Sequence, residues 1–429
     1  MTATVETLDG LNRRVNLTLN QEQVAAEVNK RLARIAKTVR LDGFRPGKAP
    51  MKMVAARYAG EVRGEVMGDA LQTAFGEVIS ANKLAVAGYP RFAAGENGAF
   101  TATFEVFPEI ALGDLSQIKV NRPVVNVSDA DVDRTIEVLR KQRVRYHAVS
   151  RAAQAGDRVH VDYQGVIGGE PFQGGEAKDF PLVLGEGRTL KDFEGSLIGM
   201  QAGESKSFDV AFPEDYFAKE LAGKTATFAA TMKSVHEAQL PEVNDDFAAS
   251  MGVHEGGVAK LREEIASNLG REAKRRVMAR VKEQAMNGLL ESTPFDVPSG
   301  LVAMERRGLL EKAVNDLKAR GMKEADIKLG EDLFEAQAKR RVALGLLMDH
   351  IISSNNLKAD EAQVRALVEE FSQSYEDPTE VIGWYYQDPK RLAEAKGLVL
   401  EENVVTWLLE RAQVTDEPTA LDQLMGNAQ

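Results

Sequence analysis

The loop Gly43-Phe44-Arg45-Pro46-Gly47-Lys48-Ala49-Pro50 carries side chains that a simple turn does not need. Its two glycines and two prolines are typical of a tight turn between helices. Phe44 is different, because a large apolar ring at a loop tip is costly unless something covers it. Arg45 and Lys48 are suited to pair with carboxylates or phosphates of a partner. The sequence leaves two interpretations open: a binding loop, or a loop whose Phe44 folds back onto the flanking helices.

The charge around this loop bears on the kind of partner it could meet. Between Leu11 and Gly60 the chain has eleven basic and three acidic residues, a net charge of +8. The whole chain carries −11 at pH 7, so the remainder carries −19. A basic end on an acidic protein indicates contact with a polyanion, and the alternative is a solvated basic helix face.

Residues for metal, thiol or nucleotide chemistry do not form the patterns that those chemistries need. The chain has no Cys, which excludes disulfides and thiol catalysis. The His residues are scattered, Gly185-Glu186-Gly187 lacks the third glycine of a dinucleotide loop, and no Walker sequence occurs. We therefore expect no metal and no cofactor. Because neither a signal peptide nor a run of about 18 apolar residues is evident, we expect a cytoplasmic protein.

A glycine-dense stretch from about residue 156 to Pro241 predicts short strands and carries a series of motifs. In order, these are Asp162-Tyr163-Gln164-Gly165, Pro171-Phe172-Gln173-Gly174-Gly175, Phe180, Leu184-Gly185-Glu186-Gly187, Phe193-Glu194-Gly195-Ser196-Leu197-Ile198-Gly199-Met200 and Phe212-Pro213-Glu214-Asp215-Tyr216. The series resembles the FKBP family of prolyl isomerases. The resemblance implies a β-sheet domain with a short helix and an apolar catalytic pocket. The residues that match the family's pocket positions are Tyr163, Phe172, Phe180, Leu190, Phe193, Tyr216 and Phe228.

An apolar pocket suits prolyl isomerisation, because the X-Pro bond turns through a twisted amide and forms no bond to carbon. The barrier is about 18–20 kcal/mol. Twisting removes amide resonance and makes the C–N unit less polar, so a dry pocket favours the twisted form over the planar one. The alternative is that these seven side chains are ordinary core, which is the interpretation we adopt for Phe208 and Phe212.

The docking loop and the order of the regions resemble a second, larger family. Gly-Phe-Arg-x-Gly-x-x-Pro is similar to the ribosome-docking signature of the trigger factor family, which are bacterial ribosome-associated chaperones. The resemblance covers the whole chain and implies binding to a large-subunit protein and nearby ribosomal RNA at the tunnel exit. It also implies ATP-independent binding of nascent and unfolded polypeptides, and it leaves a homodimer of the free protein open. The docking residues would be Gly43, Phe44, Arg45, Pro46, Gly47 and Lys48.

Two pocket positions depart from many FKBP domains. Residue 173 is Gln where an acidic residue is common, and residue 193 is Phe where Trp is common. Phe is usual at the second position in trigger factors. Gln173 leaves open which group makes the polar contact with the substrate carbonyl.

The predicted elements divide the chain into four parts with a multidomain α+β fold. An α+β ribosome-docking domain (1–112) has strands around the Asp9-Gly10 turn and a helix after Asn20. A connector (113–149) contains a helix that begins after Ser128. The FKBP-like domain (150–245) precedes an all-α chaperone domain (246–429) with predicted helices at 256–292, 300–320, 331–354, 360–374 and 390–412. We expect the tail after Gln413 to be frayed.

Three functions are compatible with these patterns. The first is a chaperone at the tunnel exit that also isomerises X-Pro bonds. The second is a pure holdase whose isomerase pocket is vestigial, and the third is an FKBP enzyme with structural appendages. The trigger factor resemblance implies that the helical C-terminal part holds clients on adaptable apolar side chains, and the alternative is that most of its apolar stripes are only the core of a helical bundle. Its candidates for client contact are Met304, Met322, Leu346, Met348 and Met425.

Overall fold

The computed structural model describes residues 5–40, 44, 48–95, 99–216, 218–373, 375 and 377–426 of the 429-residue chain. The chain divides into two compact units, Met1–Arg122 with Ala279–Glu417 and Pro123–Met278 with Pro418–Gln429. Each unit therefore combines segments that are far apart in sequence. Within the described ranges, no helix is both long and apolar enough to cross a membrane.

The N-terminal part of the first unit is an antiparallel sheet with two helices. Its elements are β1 Val5–Thr7, β2 Asn12–Thr18, α1 Gln21–Thr38, α2 Met51–Ala81, β3 Val86–Ala94 and β4 Ala99–Val106. The strand order is β1-β2-β4-β3. Alternate residues of β2 and β4, such as Val15 and Phe104, are buried and pack in one core with Val54 and Val62 of α2. The Asn20 side chain accepts hydrogen bonds from two backbone N–H groups and so begins α1, as the sequence predicts.

The middle of the chain contains the β-rich module. Its elements and those that flank it are β5 Lys119–Val124, α3 Asp129–Gln142, β6 Arg145–Val149, β7 Arg158–Ile167, β8 Glu170–Val183, α4 Lys191–Leu197, β9 Ser205–Ala211, β10 Thr225–Gln239, α5 Asp245–Ser250 and α6 Gly257–Ser292. The antiparallel sheet has the order β6-β10-β7-β8, and β9 also pairs with β10. The core beneath the sheet includes Val159, Val161 and Met232, which lie on its buried face. The short helix α4 closes this core with Leu197.

The C-terminal part is mostly helical. Together with the two sheets described above, it confirms the predicted multidomain α+β fold of the whole chain. The elements of the C-terminal part are α7 Ser299–Ala319, α8 Glu335–Ser354, α9 Glu361–Ser372, α10 Pro378–Tyr386, α11 Pro389–Leu409, β11 Gln413–Pro418 and α12 Leu421–Met425. The five predicted helices correspond to α6, α7, α8, α9 and α11. Helix α10 is an addition that the sequence pattern did not predict. Asp377 caps its N-terminus by accepting the backbone N–H groups of Thr379 and Glu380.

The prediction of a frayed tail after Gln413 is wrong. Strand β11 pairs with β5, and Asp416 accepts two hydrogen bonds from Arg122, at 2.6 Å from Nε and 3.0 Å from the terminal nitrogen. Leu421 and Leu424 of α12 are buried against Ala273 of α6. Backbone pairing and two buried leucines thus fix a segment that lacks basic residues and local helical periodicity.

Glu105 links the N-terminal sheet to the first turn of α7 within the first unit. Its Oε1 accepts hydrogen bonds from the Ser299 backbone N–H at 3.0 Å and from the Ser299 hydroxyl at 2.8 Å. Its Oε2 accepts the Gly300 N–H at 2.7 Å. A carboxylate at a helix N-terminus satisfies free backbone donors and opposes the helix dipole. The N-terminal sheet and the C-terminal helices are therefore joined by a specific polar contact.

Candidate functional site

A cavity of about 520 Å³ opens on the β-rich module, and all seven pocket residues proposed from the sequence line it. They are Tyr163, Phe172, Phe180, Leu190, Phe193, Tyr216 and Phe228. Four elements (β7, β8, α4 and β10) and two loops supply the lining, so residues up to 65 positions apart in the chain converge here. The remaining lining residues are Gln173, Gly174, Arg188, Thr189, Phe212, Ala218, Glu220 and Leu221.

Strand register explains how the aromatic rings reach one place. Phe228 of β10 lies opposite Gly165 of β7, and Tyr163 lies opposite Ala230. A Cβ atom on Gly165 would approach the Phe228 ring to 2.6 Å, so a side chain at this position would displace that ring. The glycine after Tyr163 in the sequence motif therefore has a packing role: it lets the Phe228 ring lie across β7.

The rings pack edge to face and do not fill the cavity they surround. The Tyr163 ring centroid is 5.3 Å from that of Phe193, 5.6 Å from Phe180 and 5.8 Å from Phe228, each in a T-shaped arrangement. Phe193 and Phe228 are buried, whereas Tyr163, Phe172 and Phe180 are half-buried. Phe193 and Phe228 thus belong to the core and line the cavity at once, so the two interpretations of the sequence are not exclusive.

The polar groups at the cavity are few and mostly neutral. Burial raises the pKa of Tyr163, and the neighbouring Tyr216 raises it further, so the Tyr163 hydroxyl keeps its proton at neutral pH. Gln173 presents a neutral amide where an acid is common in FKBP domains. Among the described lining residues, only Arg188 and Glu220 carry charge. The site can therefore hold an apolar ring and donate hydrogen bonds to a carbonyl.

Glu194 holds one wall of the cavity in place, a role that the sequence did not indicate. It is 4% exposed and follows Phe193 on α4. Its Oε1 accepts hydrogen bonds from the Thr189 backbone N–H at 3.0 Å and the Thr189 hydroxyl at 3.1 Å. Its Oε2 accepts the N–H groups of Gly185 at 2.8 Å and Gly187 at 3.3 Å. One carboxylate thus organises the loop that carries Arg188, Thr189 and Leu190 to the cavity.

Burial by itself raises the pKa of Glu194, but the hydrogen bonds from Thr189, Gly185 and Gly187 outweigh burial and lower it. Because the folded-state pKa lies below the unfolded value of about 4.3, the stabilisation is complete above that pH. It is lost as the pH falls through the folded-state pKa.

We therefore expect Glu194→Gln to destabilise the module by about 3 kcal/mol at pH 7, because an amide cannot accept all four hydrogen bonds. The difference from the parent chain should shrink in acid as the parent's own carboxylate becomes protonated. Native-state hydrogen exchange of the module's core amides in the full chain measures both effects. Asp192→Asn removes the same charge from an exposed position on α4 and should change exchange little. Equal protection in the two variants would contradict this role of Glu194.

Sequence reasoning also missed cavity residues outside the family's aromatic positions. Phe212, which we assigned to the core, is buried and also lines the cavity, with its ring 4.8 Å from that of Tyr216. Its place beside Pro213 in the motif that ends at Tyr216 was a usable signal. Phe208 does not line the cavity, although it packs 5.6 Å from Phe193.

The predicted docking loop is only partly described. Phe44 is 39% exposed, and Lys48 is exposed. Gly43, Arg45, Pro46 and Gly47 lie outside the described residues. The exposed fraction leaves much of the Phe44 ring accessible to a partner.

Comparison with known proteins agrees with both sequence resemblances. Residues 1–139 match the family described as bacterial trigger factor protein, and residues 257–410 match the C-terminus of the same family. Residues 149–233 match the FKBP-type peptidyl-prolyl cis-trans isomerase family. Together these matches account for most of the chain.

Named relatives match over the full length. The trigger factor of Nitrosospira multiformis is 51% identical over 435 residues, and the match spans 100% of both chains. The trigger factor of Azoarcus sp. is 50% identical, with 97% of each chain covered. A solved trigger factor chaperone structure covers 96% of this chain and 99% of its own, at 18% identity and a TM-score of 0.46. The sequence relatives establish that the chain belongs to the trigger factor family, as a ribosome-associated chaperone that binds nascent chains and isomerises X-Pro peptide bonds.

Proposed function

We propose that X-Pro bonds are isomerised in the cavity lined by Tyr163, Phe172, Phe180, Leu190, Phe193, Tyr216 and Phe228. One observation carries this assignment: seven positions matched to a catalytic pocket by sequence alone converge on one open cavity of about 520 Å³. A core without function would be expected to close around its own rings, because protein interiors are packed to crystal-like density.

The cavity would act by favouring the twisted amide over the planar one. The proline ring would lie among the aromatic rings, where water is largely displaced and the less polar C–N unit of the twisted state is preferred. The protonated Tyr163 hydroxyl and the Gln173 amide are the neutral donors that could follow the substrate carbonyl as it turns. Such a step needs no nucleophile and no proton transfer to carbon.

The loop of Gly43, Phe44, Arg45, Pro46, Gly47 and Lys48 is our proposed docking site on the large ribosomal subunit, on both a protein and nearby ribosomal RNA. The exposed Phe44 ring and the +8 charge of the surrounding segment support this assignment. An exposed aromatic anchors a protein partner, and lysine or arginine neighbours pair with phosphates. We further propose a cytoplasmic location and a homodimer when the protein is off the ribosome.

The four-part division proposed from the sequence assigns a role to each region. Residues 1–112 would dock, 113–149 would connect, 150–245 would isomerise and 246–429 would hold clients. In the last part, Met304 and Met322 are about half exposed, so they are the best placed of the proposed client contacts. Leu346 and Met348 are partly buried in α8, and Met425 packs against the core near Ala273.

The isomerase assignment can be tested with the full chain and a short Phe-Pro peptide. Exchange between the cis and trans peptide, followed by NMR, should accelerate in proportion to enzyme concentration. The uncatalysed exchange takes tens of seconds or more, so even modest turnover is visible. No acceleration at any concentration would instead support the pure holdase with a vestigial pocket.

A further inference from the structure

A second cavity of about 300 Å³ adjoins the proposed isomerase site. It is lined by Arg158, Phe180, Pro181, Leu182, Val183, Arg188 and Thr189. Phe180, Arg188 and Thr189 line both cavities, so the two spaces share one wall. A peptide whose proline occupies the first cavity would bring a neighbouring residue to the second.

Two arginines give this second cavity a positive lining. The Nε atom of Arg158 is buried and has no hydrogen-bond partner among the described residues. Its guanidinium lies over the Tyr146 ring, 4.4 Å from the centroid, which fixes its orientation and leaves its charge unpaired. Within the described chain, Arg158 forms no ion pair with a carboxylate.

Arg188 has a carboxylate partner, but the pair is weak. Its Nε lies 3.0 Å from Oε2 of Glu186, and the Arg188 side chain is 78% exposed and that of Glu186 44%. An exposed ion pair of this kind contributes little to stability, because water screens the two charges and ordering two long side chains costs conformational entropy. A ligand carboxylate held between Arg188 and Arg158 could therefore displace Glu186 at small cost.

The strand that borders this cavity can receive an extended peptide. β8 is the terminal strand in the order β6-β10-β7-β8 of the described sheet, and its residues Pro181, Leu182 and Val183 line the cavity. An edge strand offers free backbone groups to an extended chain, and alternate side chains of that chain then enter neighbouring pockets.

We propose that the second cavity is a specificity subsite for an Asp or Glu side chain close to the substrate proline. Arg158 and Arg188 are the specificity-determining residues. A planar guanidinium pairs with a carboxylate through two parallel hydrogen bonds. The inference rests on the proposed location of the isomerase site, because the subsite is defined by its shared wall.

The test uses Phe-Pro peptides in which one alanine is replaced by Glu, Gln or Lys, at the third or second position before the proline or at the first or second position after it. The full chain should isomerise the Glu peptide with a kcat/KM about 5-fold above the Gln peptide at one of these positions. Lys at that position should be the poorest, and the preference should shrink at high salt. Arg158→Gln and Arg188→Gln should each bring the Glu-to-Gln ratio close to one.

Lys224→Gln is the matched control, since it removes one positive charge from an exposed position that lines neither cavity. It should leave the Glu-to-Gln ratio at the parent value. Equal rates for Glu, Gln and Lys at every position, with normal turnover of the Phe-Pro peptide that keeps all its alanines, would overturn the subsite alone. Absence of turnover with every peptide would instead overturn the isomerase assignment. A preference for Glu that survives in the variant combining Arg158→Gln with Arg188→Gln would also rule the subsite out.

Discussion

Replacing Phe172 by alanine should lower kcat/KM for a Phe-Pro peptide about 30-fold. Phe172 lines the proposed isomerase cavity. Its ring packs edge to face with those of Phe212 and Phe228, with a distance of 6.0 Å between ring centroids in each pair. Removing it admits water and takes away apolar contact with the proline, a loss of about 2 kcal/mol of transition-state stabilisation. Each 1.36 kcal/mol corresponds to a factor of ten in rate. The measurement is peptide exchange by NMR with the full chain.

Phe208→Ala separates loss of the cavity from loss of packing. Phe208 is half-buried like Phe172 and packs against Phe193 and Phe228, but it does not line the cavity. Phe208→Ala should lower the free energy of unfolding of the module about as much as Phe172→Ala does, but it should change kcat/KM less than about 3-fold. If both variants lost activity equally while remaining folded, the ring at 172 would have no special part in catalysis.

Much of the fold could be predicted because its signals are local. The alternation in β2 and β4, the Asn20 cap and the predicted helical segments that correspond to α6, α8 and α11 all rest on side chains within a few turns of each other. Helix α10 was missed because it has nine residues and lacks a buried stripe. Its Asp377-Pro378 start, an N-cap followed by proline at the first helical position, was the available signal.

The tail could not be predicted for a different physical reason. β11 is stabilised by pairing with β5, nearly 300 residues earlier, and by the ion pair of Arg122 with Asp416. A strand whose partner is distant carries no periodic signal of its own, since only the paired neighbour decides whether it is ordered. The two leucines of α12, Leu421 and Leu424, give no sequence signal that separates them from leucines in a short disordered end. Only their contact with Ala273 in the folded chain shows that they are buried.

The site shows the same division between local and distant information. The aromatic positions were found because the order of the motifs resembles that of a known family. The role of Glu194 depends on hydrogen bonds with the loop that precedes α4, and the proposed role of Arg158 depends on the cavity that the fold places beside it. Single-sequence patterns do not encode either. Glu194 was visible in the quoted motif, yet its function became clear only from four donors that converge on its two oxygens.

The double variant Phe44→Ala, Arg45→Ala should weaken binding to ribosomes about 300-fold or more. Aromatic anchors at protein interfaces are worth about 2 kcal/mol or more, and charge-assisted hydrogen bonds about 1.5–3 kcal/mol. Phe44 is exposed in the described structure, so its removal should not disturb the core that surrounds Val54 and Val62. Co-sedimentation of the full chain with purified ribosomes over a range of concentrations measures the change.

The matched control is Tyr89→Ala, Arg91→Ala, which removes an exposed aromatic ring and an exposed arginine from β3 of the same domain. It should sediment with ribosomes like the parent chain. Turnover of a free Phe-Pro peptide should be unchanged in the docking variant, because the loop and the cavity lie in different compact units. Loss of sedimentation in both double variants would mean that general surface properties of the domain, and not this loop, bind the ribosome. Retained sedimentation of the Phe44 variant would remove the loop from the docking site, while peptide turnover would still stand as a separate activity.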